Sequence, residues 1–335
     1  MMNFAKGKVS RIILAVMLVL LAVIPFMTKE YVITVLINIL LICFLSQCWN
    51  LIGGYGGQLA MGHSLYYGIG GYVSTLLLTK AGLTPWIGMI IGAIVSAFIA
   101  AALGMLIFRY KIKGVFFALI SIAFCEIAKG LVNNSQFMGT SIGILLPLEN
   151  NPKNFMFFDK IYYYYILFIL MIIMLVISSL LERSKFGYNL MAIRNNEEAA
   201  AASGINVNKN KIMIYALSAF MTALGGTFYA QYMLYITPDL MFNTGLTNEM
   251  IISTLIGGRA TVLGPVIGSF MYNLFGELLR NLSFGAGTKA ATVTNVLYGL
   301  ILIIVALYLP NGFVKIKDQI KLPAAWRKKV KANDA

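Results

Sequence analysis

The chain has 335 residues, of which 59% are hydrophobic and only 11% are charged. Soluble globular domains carry about a quarter charged residues, so this composition excludes an ordinary soluble domain and indicates an all-α polytopic membrane protein, a bundle of transmembrane helices. The formal net charge is +14. The lysines and arginines lie mainly in the terminal segments and short loops, where they indicate topology and not a nucleic-acid-binding surface.

The three cysteines, Cys43, Cys48 and Cys125, all lie inside apolar segments. They form no CxxC pair and no spacing typical of a metal site. The sequence therefore predicts packing residues, with no disulfide framework and no zinc site.

The N-terminal segment combines a basic start with an apolar run, as a secretory signal peptide does. No small-residue cleavage site follows, and a second apolar run begins almost at once. This predicts a retained first span at residues 12–27 behind a cytoplasmic segment at residues 1–11, which carries Lys6, Lys8 and Arg11. A second span at residues 32–51 returns the chain to the cytoplasm.

A glycine-dense stretch, GGYGGQLAMGHSLYYGIGGY, follows the second span at residues 53–72. Two interpretations are open: irregular backbone at membrane depth, which survives only inside protein or along a water-filled path, or glycines that let neighbouring helices pack closely. The first applies best to Gly53, Gly54, Gly56 and Gly57, and the second to Gly68, Gly70 and Gly71. His63, the only histidine, is predicted to be a hydrogen-bonded structural residue, since no carboxylate or cysteine nearby favours a metal.

Residues 86–108 and 115–132 form the next two long spans, joined by a basic loop that the Lys/Arg rule places in the cytoplasm. Glu126 lies about a dozen residues into the later span, where a charge costs about 2.5–3.5 kcal/mol. We expect it to face the bundle interior or a translocation path. The alternatives are a local ion pair with Lys129, three residues on, or a neutral buried carboxyl.

Residues 133–160 form a polar, turn-rich loop that is predicted to be external, and residues 161–181 form the sixth span. A polar island at residues 183–211 then separates two apolar segments. Its cations outnumber its carboxylates, which places the island in the cytoplasm.

The island has the pattern of a short capped helix. Asn195 and Asn196 are N-cap candidates, Glu197 and Glu198 would occupy the first turn, residues 199–202 are alanines, and Gly204 supplies a stop. The plainer interpretation is an ordinary solvated loop helix.

The remaining apolar segments are a seventh span at residues 212–236, two short pieces at 248–256 and 266–279, and a last span at 295–309. The short pieces predict an interrupted hairpin with Arg259 at its cytoplasmic turn. Together the segments give about ten crossings with both termini inside, a transmembrane domain at residues 12–309 and a basic cytoplasmic tail at residues 310–335.

Several motifs carry a family resemblance. The run AIRNNEEAAAASGIN resembles the cytoplasmic loop of permease subunits of ABC importers, and the longer FGYNLMAIRNNEEAAAASGINV resembles the branched-chain amino-acid permeases, in particular their larger, M-type subunit. The runs NLIGGYGGQLAMGHSLYYGIGGY, SIAFCEIAKGLVNNSQFMGTSIGI and GGRATVLGPVIGS are similar to further segments of the same family. The resemblance covers about residues 50–309.

The resemblance implies a function and a set of site residues. The cytoplasmic loop would form the coupling helix that docks on the ATPase, through Arg194, Asn195, Asn196, Glu197, Glu198, Ala199, Ala200 and Gly204. The translocation path would include Gly57, Gln58, His63, Glu126, Gly257 and Gly258. The resemblance implies no catalytic and no metal-binding residue, and it implies an inverted repeat in which spans two to five match spans seven to ten.

The resemblance also implies partners and a location. These are two ABC ATPase subunits that carry ATP and Mg, a second homologous permease chain or a second copy, an extracytoplasmic substrate-binding protein and the lipid of a bacterial inner membrane. Branched-chain amino acids are the family's usual substrate, and near relatives carry urea, short amides or other amino acids.

Other classes of protein remain as alternatives. The chain has no GxxxxGK[ST] motif, so it is expected not to hydrolyse ATP and to depend on a separate ATPase chain. The alternative is a secondary transporter driven by a proton or sodium gradient with Glu126 as relay, a class that usually needs more ionisable groups in the membrane. A membrane-embedded enzyme would need a cluster of reactive side chains, which the sequence lacks.

Overall fold

The computed structural model describes residues 21, 23–25, 29–147, 151–282 and 312–313. The predicted first span lies largely outside these residues, and the last span and nearly all of the C-terminal tail lie outside them too. Within the described residues the protein is almost entirely helical. In the described part of the chain, five helices are long and apolar enough to cross a membrane: Glu30–Tyr55, Pro85–Arg109, Val115–Asn133, Lys160–Arg183 and Val207–Met233.

The described helices, in chain order, are α1 (Glu30–Asn50), α2 (Ser64–Ala81), α3 (Pro85–Arg109), α4 (Val115–Asn133), α5 (Lys160–Arg183), α6 (Lys185–Asn195), α7 (Glu197–Ala202), α8 (Val207–Met233), α9 (Pro238–Met241), α10 (Thr244–Gly257) and α11 (Gly264–Leu282). The long spans match the apolar segments closely. The exception is α8, which begins five residues before the predicted start, because the Asn206 side chain caps it by accepting a hydrogen bond from the Lys209 amide. Hydropathy marks the part of a helix that lies in lipid, whereas capping marks where the helix begins.

Helices α2, α3 and α8 pack closely against one another. A Cβ built on Gly70 of α2 would overlap the carbonyl of Ala223 in α8, and one built on Gly226 of α8 would overlap the carbonyl of Tyr67 in α2. Small residues let helix backbones approach closely, and the van der Waals packing that results is one source of attraction between helices in lipid. The packing interpretation of this part of the glycine-dense stretch is therefore correct.

The chain between α1 and α2 has an irregular backbone. Helix α1 continues into one π-helical turn, Leu51–Tyr55, and Gly57 then takes a φ of +67°. The amides of Met61 and Gly62 donate hydrogen bonds of 3.0 Å to the Ser121 hydroxyl of α4. Most of this segment is buried against other helices, although Gly57 and Leu59 are exposed. Burial in protein is what non-helical backbone would need at membrane depth. Both interpretations of the glycine-dense stretch hold, each for a different part.

Helices α10 and α11 form the predicted interrupted hairpin. Helix α10 has 14 residues, a length of about 21 Å, which is too short to span a bilayer core of about 30 Å. The Asn50 side chain of α1 accepts a hydrogen bond from the Ala260 amide at 2.8 Å and donates one to the Thr261 carbonyl at 3.1 Å. Gln47, one turn earlier, donates to the Val262 carbonyl. The buried polar side chains of α1 therefore hold the turn of the hairpin.

The loops gather at two opposite ends of the bundle. At one end the Lys113 loop, the segment after α5 and the hairpin turn lie near one another. At the other end strand β1 (Ile144–Leu145) pairs with β2 (Tyr235–Ile236) in an antiparallel ribbon, and the Trp86 indole donates a hydrogen bond to the Pro152 carbonyl. This division agrees with the predicted alternation of spans. Which end faces the cytoplasm, the predicted domain bounds and the inverted repeat stay predictions.

Candidate coupling segment and translocation path

The polar island folds as two helices, α6 and α7, which we call the coupling segment (residues 184–204). The Ser184 hydroxyl caps α6 by accepting a hydrogen bond from the Gly187 amide at 3.0 Å. The Asn196 side chain caps α7 by accepting bonds from the Glu198 amide at 3.0 Å and the Ala199 amide at 3.1 Å. Asn196 can do this because its φ of −158° is extended, as an N-cap requires.

The structure confirms one of the two cap candidates and excludes the other. Asn195 is the last residue of α6 and not an N-cap. The predicted single helix is therefore one short helix, α7, placed directly after another. Gly204 ends it as predicted: its φ is +83°, a left-handed conformation that glycine adopts without steric cost.

The residues predicted to dock on a partner divide between two faces of the segment. Asn195, Asn196, Glu198, Ala199 and Gly204 are exposed. The side chains that face the protein's own helices are those of Arg194, Glu197 and Ala200, and Ala200 is only 4% exposed. A partner can reach the first group directly, whereas the second group seats the segment on the bundle.

Arg194 connects the coupling segment to the irregular backbone after α1. Its Nη1 donates a hydrogen bond to the Gly54 carbonyl at 3.0 Å, and a Cβ built on Gly57 would lie 2.7 Å from the Arg194 Cγ. Burial lowers the pKa of Arg194, as does the nearby charge of Arg259 at the hairpin turn. Three separate segments thus meet around one guanidinium.

Glu197 lies between two lysines. Its Oε2 is 2.7 Å from the Nζ of Lys113, in the loop between α3 and α4. Its Oε1 accepts a hydrogen bond from the Nζ of Lys211 in α8. Burial raises the pKa of Glu197, but the hydrogen bonds and charges of the two lysines outweigh it, so the pKa lies below its ordinary value. The carboxylate is held in its charged form.

His63 is a buried, hydrogen-bonded residue, as the structural interpretation predicts. Its Nε2 and the Ser218 hydroxyl of α8 are 3.0 Å apart, and its ring packs edge-on against Tyr66 at 5.4 Å between centroids. Gln58, also predicted for the path, is buried at 5% exposure. Neither side chain is accessible in this conformation, so their part in a path stays a prediction.

Glu126 lies on the exposed face of α4. This corrects the expectation of a side chain in the bundle interior, as far as the described residues form it. The proposed local ion pair is also wrong, because Lys129 lies 2.7 Å from Asp239 in α9 instead. The i,i+3 spacing allowed the local pair, but the tertiary fold offered Lys129 a second carboxylate. The preceding residue, Cys125, is buried with its Sγ 3.3 Å from the Ser64 hydroxyl, so α4 turns one side inward and Glu126 outward.

Gly257 and Gly258 form the start of the hairpin turn. Gly258 has a φ of +122°, and a Cβ on Gly257 would overlap the Gly264 carbonyl. A Cβ on Gly54 would lie 2.7 Å from the Ala260 amide nitrogen, so this turn and the segment before Gly57 touch. The structure brings these two glycine-rich segments together at the end that carries the coupling segment. It places His63 and Glu126 further along the bundle.

Four side chains at this end were not selected from the sequence: Gln47, Asn50, Lys113 and Lys211. The two polar residues inside an apolar span were a usable signal, since polar groups in lipid are costly and therefore find buried partners. From the sequence, the two lysines indicate topology alone. Nothing in their spacing indicated that they share one carboxylate.

The protein has long apolar helices, irregular backbone buried between them and a capped polar segment at one end. These features define an α-helical integral membrane protein of the permease class. The chain belongs to the family described as "Branched-chain amino acid transport system / permease component", whose model matches residues 31–306.

Known proteins agree with this assignment. The chain is similar to the high-affinity branched-chain amino acid transport system permease protein LivM of Escherichia coli (strain K12), at 22% identity over 93% of this chain and 77% of that protein. It is also similar to the galactose/methyl galactoside import permease protein MglC of the same organism, at 37% identity over 28% of this chain and 30% of that protein. A probable branched-chain amino acid transport permease protein LivM of Methanocaldococcus jannaschii is 26% identical over 43% of each chain.

Proposed function

We propose that this chain is the transmembrane permease subunit of an ATP-driven ABC importer that carries branched-chain amino acids across a bacterial inner membrane. Its partners would be two ATPase subunits that bind ATP and Mg, a second permease chain and an extracytoplasmic substrate-binding protein. Family membership supports the general class. The observation that carries the coupling role is the exposed face of α7, a capped helix on a segment that is anchored to the bundle from behind.

The exposed face of α7 fits a docking role. Ala199 on the helix and Gly204 just after its end offer no bulk, so a groove on the ATPase can approach the backbone closely. Glu198 adds a negative charge in the first turn, where it complements the helix dipole. Ala200 of α7 and Arg194 of α6 both face inward and fix the coupling segment to the bundle, so a force applied to the exposed face reaches the membrane-spanning helices.

The face of α4 around Glu126 supports a path between this chain and a second permease chain. Phe116, Leu119, Ile127 and Leu131 are all exposed with Glu126 on this helix. An apolar stripe alone could face lipid, but a carboxylate near the middle of a span is costly there. A second permease chain on this face would cover the stripe and leave Glu126 beside the path.

The same carboxylate supports an amino acid as the substrate. A carboxylate beside the path can pair with the ammonium group of an amino acid, which a sugar lacks. Since some relatives are named as galactose or ribose permeases, Glu126 favours the amino acid over the sugar as the substrate of this chain.

The experiment compares two identical substitutions at opposite ends of the bundle. Ala199→Trp places bulk on the exposed face of α7, and the control Ala81→Trp places it on the exposed last residue of α2. We expect both variants to insert in the membrane, and only Ala199→Trp to lose the ATPase subunits on co-purification and to lose uptake of leucine, isoleucine and valine. Normal ATPase association in Ala199→Trp would show that α7 does not dock on the ATPase.

A further inference from the structure

A cluster of three charges ties the coupling segment to two transmembrane helices. Glu197 is the first residue of α7, Lys113 lies just before α4, and Lys211 lies in the first turns of α8. We propose that Glu197 is a positioning residue within this chain, a latch that transmits movement of α7 to α4 and α8, and not a contact with the ATPase. The proposal rests on the proposed function of the coupling segment.

The geometry assigns one lysine to each carboxylate oxygen. Oε2 pairs with Lys113 at 2.7 Å and Oε1 accepts from Lys211. Glu197 keeps only 20% of its side chain exposed, and Lys211 keeps 3%. With both oxygens engaged from inside the chain, little of the carboxylate remains for a partner protein.

Lys211 makes the latch costly to break. Its Nζ lies over the Phe108 ring of α3, 5.4 Å from the centroid. This cation–π contact orients the ammonium group but does not neutralise it. Glu197 is its only ion-pair partner among the described residues, and removing one member of a buried pair leaves an uncompensated charge. The buried lysine therefore holds α7 against the bundle for as long as Glu197 is charged.

Lys113 connects the latch to α4, the helix that carries Glu126. It is followed by Gly114, with a φ of +60°, and then directly by Val115, the first residue of α4. The loop is short, so displacing α7 displaces Lys113 and with it the first turn of α4. Helix α4 carries Glu126 on its exposed face. Movement of the coupling segment would thus reach the residue proposed to line the path.

The neighbouring acidic residue, Glu198, has different surroundings from those of Glu197. Glu198 is exposed and forms no ion pair with any described lysine or arginine. A docking role therefore belongs to Glu198, and the latch role belongs to Glu197.

The test uses the complete complex reconstituted in liposomes, with the variants Glu197→Gln and Lys113→Gln. Two variants serve as controls. Lys113→Arg keeps the charge at position 113. Lys111→Gln removes another lysine of the same loop, and Lys111 pairs with no described carboxylate. We expect Glu197→Gln and Lys113→Gln to keep the ATPase subunits but to move roughly tenfold fewer substrate molecules per ATP hydrolysed, a size typical of coupling between sites. Lys113→Arg and Lys111→Gln should behave as the unmodified protein does.

Two results would overturn the latch. Loss of the ATPase subunits in Glu197→Gln but not in Lys113→Gln would make Glu197 a direct contact. An unchanged number of substrate molecules moved per ATP hydrolysed in both variants would show that the ion pairs have no part in coupling.

A second measurement separates the latch from the proposed function. Thermal unfolding of the permease alone, in the two single variants and the double variant, needs no ATPase, and the latch requires clearly non-additive losses. Additive losses would overturn it. Failure of the unmodified permease to associate with any ATPase would instead overturn the proposed function.

Discussion

The Nη1 of Arg194 donates a hydrogen bond of 3.0 Å to the carbonyl of Gly54, which lies 140 positions earlier in the chain. Gly54 belongs to the π-helical turn that ends α1. The bond therefore joins the coupling segment to the irregular backbone that leads into α2. Since Asn50 of the same region holds the hairpin turn, one short series of contacts connects the coupling segment with both irregular segments.

Replacing Arg194 should weaken this junction. Hydrogen bonds to charged groups contribute about 1.5–3 kcal/mol, so Arg194→Ala should lower the free energy of unfolding by about 2 kcal/mol and reduce uptake. Thermal unfolding in detergent and uptake in cells measure the two effects. Lys185→Ala, at an exposed position of the same helix, is the control and should change neither. Equal stability of the two variants would contradict the junction.

Close approach of α2 and α8 predicts a strong effect of one methyl group. Gly70→Ala would press Cβ into the Ala223 carbonyl, and overpacking of this kind costs typically about 1–3 kcal/mol. Gly130→Ala, in α4, has nothing within 4 Å of the added Cβ and should be neutral or slightly stabilising. Melting temperature and the yield of monodisperse protein compare the two. A Gly70→Ala protein as stable as Gly130→Ala would mean that the helices are further apart.

The sequence predicted the elements of the fold that depend on local chemistry. The long spans follow from runs of apolar residues, and the cap at Asn196 follows from a side chain that can accept hydrogen bonds from the next turn. The interrupted hairpin follows from two apolar pieces too short to cross. Each of these signals lies within a few adjacent residues, so reading the chain in order is enough to find them.

The contacts of the candidate site depend on tertiary structure and could not be predicted in the same way. Lys129 had an acceptable partner in Glu126, yet it pairs with Asp239, because α9 brings that carboxylate closer. Glu197 matched a docking motif, yet both of its oxygens are engaged inside the chain. A motif identifies which residues matter, whereas which face they present is decided by helices that are distant in sequence.

The hairpin turn should loosen when its support in α1 is removed. Asn50→Leu deletes the acceptor of the Ala260 amide and the donor to the Thr261 carbonyl, and each buried group left unpaired costs about 1–3 kcal/mol. We expect faster hydrogen exchange at the Ala260 amide and a lower melting temperature. Asn38→Leu makes the same change at an exposed position of α1 and should leave exchange at Ala260 unchanged. Protection of Ala260 in Asn50→Leu equal to that in the unmodified protein would exclude this role.

The charge of Glu126 should matter for transport and not for folding. It is exposed on this chain, and no hydrogen bond or ion pair of its side chain is seen among the described residues, so Glu126→Gln should express normally. If the carboxylate pairs with the ammonium group of the substrate, uptake should fall about tenfold, equivalent to about 1.4 kcal/mol. Glu30→Gln, at the exposed start of α1, is the matched control. Full uptake by Glu126→Gln would show that the charge has no part in the path.

The two ends of the bundle should face opposite sides of the membrane. The Lys/Arg distribution places the coupling segment inside and the loop before α5 outside, so Lys153→Cys should react with an impermeant thiol reagent in intact cells and Asn195→Cys only after lysis. Both positions are exposed, and the native Cys43, Cys48 and Cys125 are buried, which keeps the background low. Labelling of Asn195→Cys in intact cells would show that the topology is the opposite of the predicted one. It would also put the coupling segment out of reach of a cytoplasmic ATPase, so this one measurement tests the side on which energy is supplied.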